Sequence, residues 1–190
     1  MKKFLLKYQW LIATAGAAAL LTAVFTKNPL KTAVQNTLTD MNNEKQVLTL
    51  HPAARNPARK FINEAEKAGI NLKITSAYRS IAEQNRLYQQ GIDNPADKVT
   101  NAKGGQSYHN FSLAIDVVEI RNGKAIYKDE HGAKWPQIAA IGKAAGFEWG
   151  GDFKNFVDRP HFQLKTGLTL AQLQTRHATG QTENGYVVLT

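Results

Sequence analysis

One carboxylate constrains this chain more than any other residue. Asp116 stands among Leu113, Ala114, Ile115, Val117 and Val118, a run that reads as a buried strand. Burying a carboxylate without a partner costs several kcal/mol, and the run itself holds neither Lys nor Arg. Two readings follow. Either a distant Arg or a set of backbone N–H groups takes the charge and the nearby His109 is an ordinary loop histidine, or His109 and Asp116 hold a metal ion together. A second stretch, Phe156-Val157-Asp158-Arg159-Pro160-His161-Phe162-Gln163-Leu164, bears on the choice. There His161 lies in another short apolar run, and Asp158 precedes it by three residues across Pro160, which biases the local chain towards an extended form. The two stretches together supply two imidazoles and two carboxylates. Three such groups suffice to hold a zinc ion with one position open to water, and the fourth is then free to take a proton from that water.

The pattern S-x-H-x-x-x-x-A-x-D from Ser107 to Asp116, followed by D-x-x-H-F from Asp158, resembles the zinc peptidases that cut bacterial wall peptides. These are the D-alanyl-D-alanine carboxypeptidases and dipeptidases, and the L-alanyl-D-glutamate peptidases of phage endolysins and bacterial wall hydrolases. The likeness is stronger to the L-alanyl-D-glutamate group. It runs from about Leu50 to Leu164 and takes in Ile74 to Ser80, Gln84, Leu87-Tyr88, Gly91, and Trp149 to Asp152. The resemblance implies one zinc ion held by His109, Asp116 and His161, with Asp158 as the catalytic base. It implies that Arg79 binds substrate and stabilises the oxyanion, and that Ser107 orients a ligand or touches substrate. It implies peptidoglycan stem peptides as substrate, cut between L-Ala and D-Glu. The alternatives are a carboxypeptidase or dipeptidase acting at terminal D-Ala, or a zinc-bearing wall-binding module without turnover. One position departs from the family pattern: Ser112 stands where a Gly is usual, three residues after the first ligand, so a positive φ there would carry strain.

In chain order, Met1 to Lys7 is a short basic start, and Tyr8 to Thr26 carries no charge. Nineteen helical residues span about 28 Å, close to the ~30 Å of a hydrocarbon core. No A-x-A cleavage signal follows the apolar run, so 8–26 reads as an uncleaved transmembrane anchor in preference to a processed signal peptide. Lys2, Lys3 and Lys7 before the span, against Lys27 and Lys31 after it, place the amino terminus inside. The expected location is therefore the inner or cytoplasmic membrane, single-pass, with the remainder on the periplasmic or wall side. Residues 27–49 are polar with Val34, Leu38, Met41 and Leu48 at helical spacing, and read as a tether with a helical tendency.

The rest reads as one peptidase domain over 50–168 and a C-terminal helix and tail over 169–190. Its expected fold is α+β: a small, mainly antiparallel sheet with helices packed on one side and the zinc site on the open face. Strands are predicted at 72–78, 113–121, 124–127, 147–149 and 161–164. Helices are predicted from Asn56-Pro57 to Gly69, from a Ser80 capping box to Gly91, from Trp135 to Gly146, and from Thr169 to Arg176. The polar loop 92–106 is expected to form a mobile cleft wall. Glu148 is a rival base, set aside because the Gly150-Gly151 turn separates it from His161. His51 and His131 read as packing and surface histidines. The chain carries +9, five of those charges lying in the first 31 residues. No basic cluster interleaved with aromatics points to nucleic acid, the chain has no cysteine, and a monomer is expected.

Overall fold

Strand alternation sorts this chain into a core face and a working face. The computed structural model describes residues 29–127, 132 and 134–190; the basic start, the charge-free stretch 8–26 and His131 lie outside the described residues. Residues 38–190 form one compact unit, and the described residues 29–37 fall outside it. Strands β1 (Leu72–Ser76), β2 (Ala114–Arg121), β3 (Lys124–Ile126), β4 (Phe147–Trp149) and β5 (His161–Leu164) form an antiparallel sheet in the order β1-β2-β5-β4, with β3 also paired to β2. The helices are α1 (Pro29–Leu48), α2 (Pro52–Lys67), α3 (Ile81–Asp93), α4 (Trp135–Ala144) and α5 (Leu170–Ala178). The α+β class and the mainly antiparallel sheet are as expected from the sequence. Among the described residues no helix is long and apolar enough to cross a membrane.

Residues two apart on a strand share a face. Leu72, Ile74, Ile115, Val117, Phe162 and Leu164 all fall on one side and are buried. Helices α2 and α4 cover them. The Phe61 ring lies 4.7 Å from that of Phe162 and 6.0 Å from that of Phe147. Gly142 lets α4 approach: a Cβ there would come within 2.5 Å of the Phe162 ring. Each large side chain buried this way contributes about 1.5–3 kcal/mol.

Two local expectations are corrected. Helix α2 starts at Pro52, not near Pro57: His51 caps it, its Nδ1 accepting from the Ala53 N–H at 3.1 Å while Nε2 meets the Val187 carbonyl at 3.0 Å. Pro52 offers the same first-turn signal as Pro57, and the core needs Ala54 and Ala58 on one helical face. Helix α3 passes through Gly91 to Asp93, because Gly91 is where the backbone of Lys98 lies against the helix, 3.2 Å from a Cβ built there. The tail holds a further hairpin, β6 (Thr182–Glu183) and β7 (Tyr186–Val187), turned by Asn184 and Gly185, both at positive φ.

Segment 29–48 is one helix, and its spaced apolar residues Val34, Leu38, Met41 and Leu48 point outward. The buried side of its second half carries Thr39, Asn43 and Val47 instead. Strand β1 is an edge, and an edge strand presents unpaired backbone groups. Asn43 satisfies two of them, donating to the Leu72 carbonyl at 2.8 Å and accepting from the Ile74 N–H at 2.7 Å. Asn42 donates to the Ile74 carbonyl at 2.9 Å.

Candidate metal centre

The second face of the sheet carries Asp116 of β2 opposite His161 of β5, and Ala114 opposite Gln163. Glu148 of β4 lies opposite Gln163 on the other side. His109 reaches the same place from a 3-10 turn, Tyr108–Phe111, that precedes β2. Ser107 caps this turn by accepting from the His109 N–H at 3.3 Å, and Ser112 ends it in the left-handed region at φ 60°. The Arg79 N–H donates to the His109 carbonyl at 3.1 Å, and Asn110 donates to the Arg79 carbonyl at 2.9 Å, which ties the turn to the end of β1.

Hydrogen bonding assigns both rings. His109 Nδ1 lies 2.6 Å from the Ala77 carbonyl, which only accepts, so Nδ1 carries the proton and Nε2 presents a lone pair. His161 Nε2 lies 3.3 Å from Gln163 Oε1 and so donates, leaving Nδ1 bare. The free ends converge. His109 Nε2 lies 3.1 Å from Asp116 Oδ1 and 3.2 Å from His161 Nδ1, which is itself 3.1 Å from Asp116 Oδ1. Three buried or half-buried lone-pair donors in a triangle repel one another unless a cation or a proton sits among them. Tetrahedral zinc with bonds of ~2.0–2.1 Å sets its ligand atoms about 3.3 Å apart, close to the sides of this triangle, so the residues fit such an ion.

The electrostatics agree. Burial works against the charge on Asp116, but the two imidazoles outweigh it and hold the carboxyl well below the usual range. Burial likewise disfavours a charged His161, but its hydrogen bond to Asp116 and that group's charge push the ring above its ordinary 6.5. The second oxygen of Asp116 lies 3.7 Å from Arg79 Nη2. Arg79 is held by Gln84 Oε1 and Ser76 Oγ, each at 3.0 Å.

Asp158 comes from the segment between β4 and β5. Residues Asp158 to His161 close a hydrogen-bonded turn, His161 N–H to Asp158 carbonyl at 3.2 Å, where an extended passage was expected. Gly150 makes room for it: a Cβ there would lie 2.4 Å from the Asp158 carbonyl oxygen and 3.0 Å from His161 Cβ. The Asp158 N–H donates to the Gly150 carbonyl at 3.0 Å, and Trp149 Nε1 donates to the Arg159 carbonyl at 2.7 Å. Burial raises the Asp158 carboxyl above the ordinary carboxylate value, opposed by the charges of His161, His109 and Arg79 and reinforced by Asp116. Asp158 therefore stands within electrostatic reach of all three candidate ligands.

Of the residues singled out in the sequence, His109, Asp116, His161 and Arg79 meet directly and Asp158 flanks them; the Ser107 hydroxyl is turned to the His109 backbone. Two amides were given no role by the sequence reading. Gln84 is fully buried and bonds Arg79 on one side and the loop on the other, donating to Thr100 Oγ1 at 3.0 Å and the Ala102 carbonyl at 2.8 Å. With Asn85 accepting from the Gly104 N–H and Gln174 donating to the Gly105 carbonyl, the expected mobile cleft wall is tied down at several points. Gln163 is the second, and its only sequence signal is a position two residues after His161 on a strand. Glu148, the rival base, accepts from the Gln163 amide at 3.0 Å.

Comparison with known proteins shows what the chain is similar to. A family model described as D-alanyl-D-alanine carboxypeptidase matches residues 100–164, the segment holding all three candidate ligands and Asp158. The peptidoglycan L-alanyl-D-glutamate endopeptidase CwlK of Bacillus subtilis is 39% identical over 137 residues, 68% of this chain and 80% of that protein. The chain belongs to this family of peptidases. Another relative in the family, the L-alanyl-D-glutamate peptidase of a Listeria phage, is 33% identical over 111 residues, 56% of this chain and 35% of the phage protein. Among solved structures, the L-Ala D-Glu endopeptidase ChiX of Serratia marcescens matches with a TM-score of 0.51 at 23% identity, covering 66% of this chain and 88% of that one, a likeness of fold.

Proposed function

We propose that the chain is a metal-dependent peptidase that hydrolyses the bond between L-alanine and D-glutamate in peptidoglycan stem peptides. Support comes chiefly from the 39% identity to an L-alanyl-D-glutamate endopeptidase over 68% of the chain, together with the convergence of His109, Asp116 and His161. In this reading those three residues hold one zinc ion, which when bound supplies Lewis acidity to the scissile carbonyl and to the attacking water. Asp158 takes the proton from that water as its oxygen attacks the alanyl carbonyl carbon. As the C–N bond breaks, Asp158 gives the proton to the departing D-glutamate nitrogen. Arg79, oriented by Gln84 and Ser76, faces the charge that develops on the carbonyl oxygen and keeps further N–H donors for a substrate carboxylate. Ser107 acts through the His109 backbone.

Mass spectrometry of defined wall peptides, incubated with the chain with and without a chelator, tests the assignment. Chelator-sensitive release of a product with a D-Glu amino terminus is the expected result. Loss of only a terminal D-Ala would make the enzyme a carboxypeptidase, and no cleavage by a folded, zinc-loaded chain would make it a binding module. We also propose that residues 8–26 anchor the chain in a membrane with the peptidase on the wall side, as their lack of charge and their lysine flanks suggest. Release of the full chain from membranes by alkaline carbonate would refute the anchor.

A further inference from the structure

Gln163 is almost fully buried and lies between two strands, yet only one of its cross-strand neighbours offers a polar group. On β2 it faces Ala114, which has none; on β4 it faces Glu148. A carboxylate only accepts, so the Gln163 NH2 must point to Glu148 Oε2, 3.0 Å away. The carbonyl end of the same amide is thereby turned along its own strand to His161 Nε2, at 3.3 Å. An amide has one donor end and one acceptor end. Whatever stands at position 148 therefore decides which end His161 meets.

We propose that Glu148 and Gln163 form a positioning relay that keeps the proton of His161 on Nε2 and so leaves Nδ1 free to bind the metal. The inference rests on the metal reading above and deepens it. Glu148 touches neither the triangle of ligand atoms nor, in the mechanism above, the reacting groups. It acts through Gln163, from the outer edge strand of the sheet. A donor in place of Glu148 would reverse the amide and set NH2 against Nε2. A ring bound through Nδ1 needs a proton on Nε2, so the two N–H groups would then oppose each other and the metal would be held less well.

Zinc affinity by chelator competition, together with 15N–1H spectra of the histidine rings in the zinc-loaded chain, tests the relay. Glu148 is exposed, so its replacement leaves the core intact. In the parent chain the His161 Nε2 proton should exchange slowly with solvent. Gln163→Leu should weaken zinc binding about 10–100-fold, the usual cost of losing a group that orients a metal ligand, and should make that proton exchange fast. Glu148→Lys should do the same without touching Gln163. Adding Gln163→Glu to Glu148→Lys should restore both readouts, because a carboxylate at 163 accepts from the lysine and from Nε2 together. Thermal unfolding of each variant separates loss of folding from loss of affinity. Zinc affinity within twofold of the parent in Gln163→Leu, or no recovery in the double variant, would overturn the relay while leaving the metal centre standing. A parent chain that binds no zinc would overturn the metal reading itself.

Discussion

His109 and His161 enter the site through different ring nitrogens, Nε2 and Nδ1, and in each ring an acceptor takes the proton of the other nitrogen. Asp116 keeps its charge in a half-buried place because the two rings outweigh the cost of burial and Arg79 Nη2 lies 3.7 Å away. The roles of the two carboxylates separate on this basis. Asp158→Ala should retain zinc within a few-fold and lose turnover by about 10²–10⁴-fold, the usual contribution of a general base. His161→Ala should lose both, and equal metal loss in the two variants, measured by chelator competition, would refute the division. Ser112 is a residue-scale cost of another kind: it holds φ 60° with a side chain. Ser112→Gly should raise stability by about 1 kcal/mol in urea unfolding without moving zinc affinity, since left-handed backbone is free of that penalty only in glycine.

At the scale of elements, the strands were legible because alternation and β-branched runs announce them, and the sheet then aligns Asp116 with His161 by register alone. The hairpin at 182–187 was legible in principle, since Asn184-Gly185 is the same turn signal as Asn122-Gly123. The working side of α1 was not. Its spaced apolar residues gave only a helical tendency to a tether, yet the helix turns Thr39, Asn43 and Val47 inward, because the open edge of β1 needs a donor and an acceptor more than the helix needs another apolar contact. Asn43→Leu, which keeps the volume but removes both groups, should therefore orphan the Leu72 carbonyl and the Ile74 N–H. The expected loss is about 2–4 kcal/mol in thermal or urea unfolding, from two buried backbone groups left unpaired. A loss below ~0.5 kcal/mol would mean that water replaces the amide at that edge.

For the whole molecule, the candidate ligands tie the 3-10 turn before β2, β2 itself and β5 into one cluster, so metal and proton should compete for the stability of the unit. In the metal-free chain His161 is raised above its ordinary 6.5. Its contribution is therefore fully present below that value and is lost as pH rises through the folded-state pKa. Asp116 is depressed below its ordinary 3.8. Its contribution is present above that value and is lost as pH falls towards the folded-state pKa. Zinc needs His161 without its second proton, so affinity should rise as pH climbs through the raised imidazole pKa. Chelation should accordingly lower Tm, by more at pH 8 than at pH 6. At zinc 1,000-fold above Kd the ion would add about 4 kcal/mol. A chelation shift in Tm that is the same at both pH values would mean that His161 is not protonated in the metal-free chain.

The sequence by itself determined the class of fold, because period-two runs have few ways to fold, and it pointed to the candidate ligands, through the cost of a carboxylate in an apolar run together with the resemblance that the motifs carry. It also marked the Gly150-Gly151 bend, whereas the turn from Asp158 to His161 belongs to the tertiary structure. Only the tertiary structure decided which nitrogen of each ring faces the site, which side of α1 is buried, and that Gln84, Gln163, Glu148 and Asn43 matter. Amide and carboxylate side chains carry no periodic signature. Their partners are set by register between strands and by the packing of a helix on a sheet edge, and neither exists until distant parts of the chain have met.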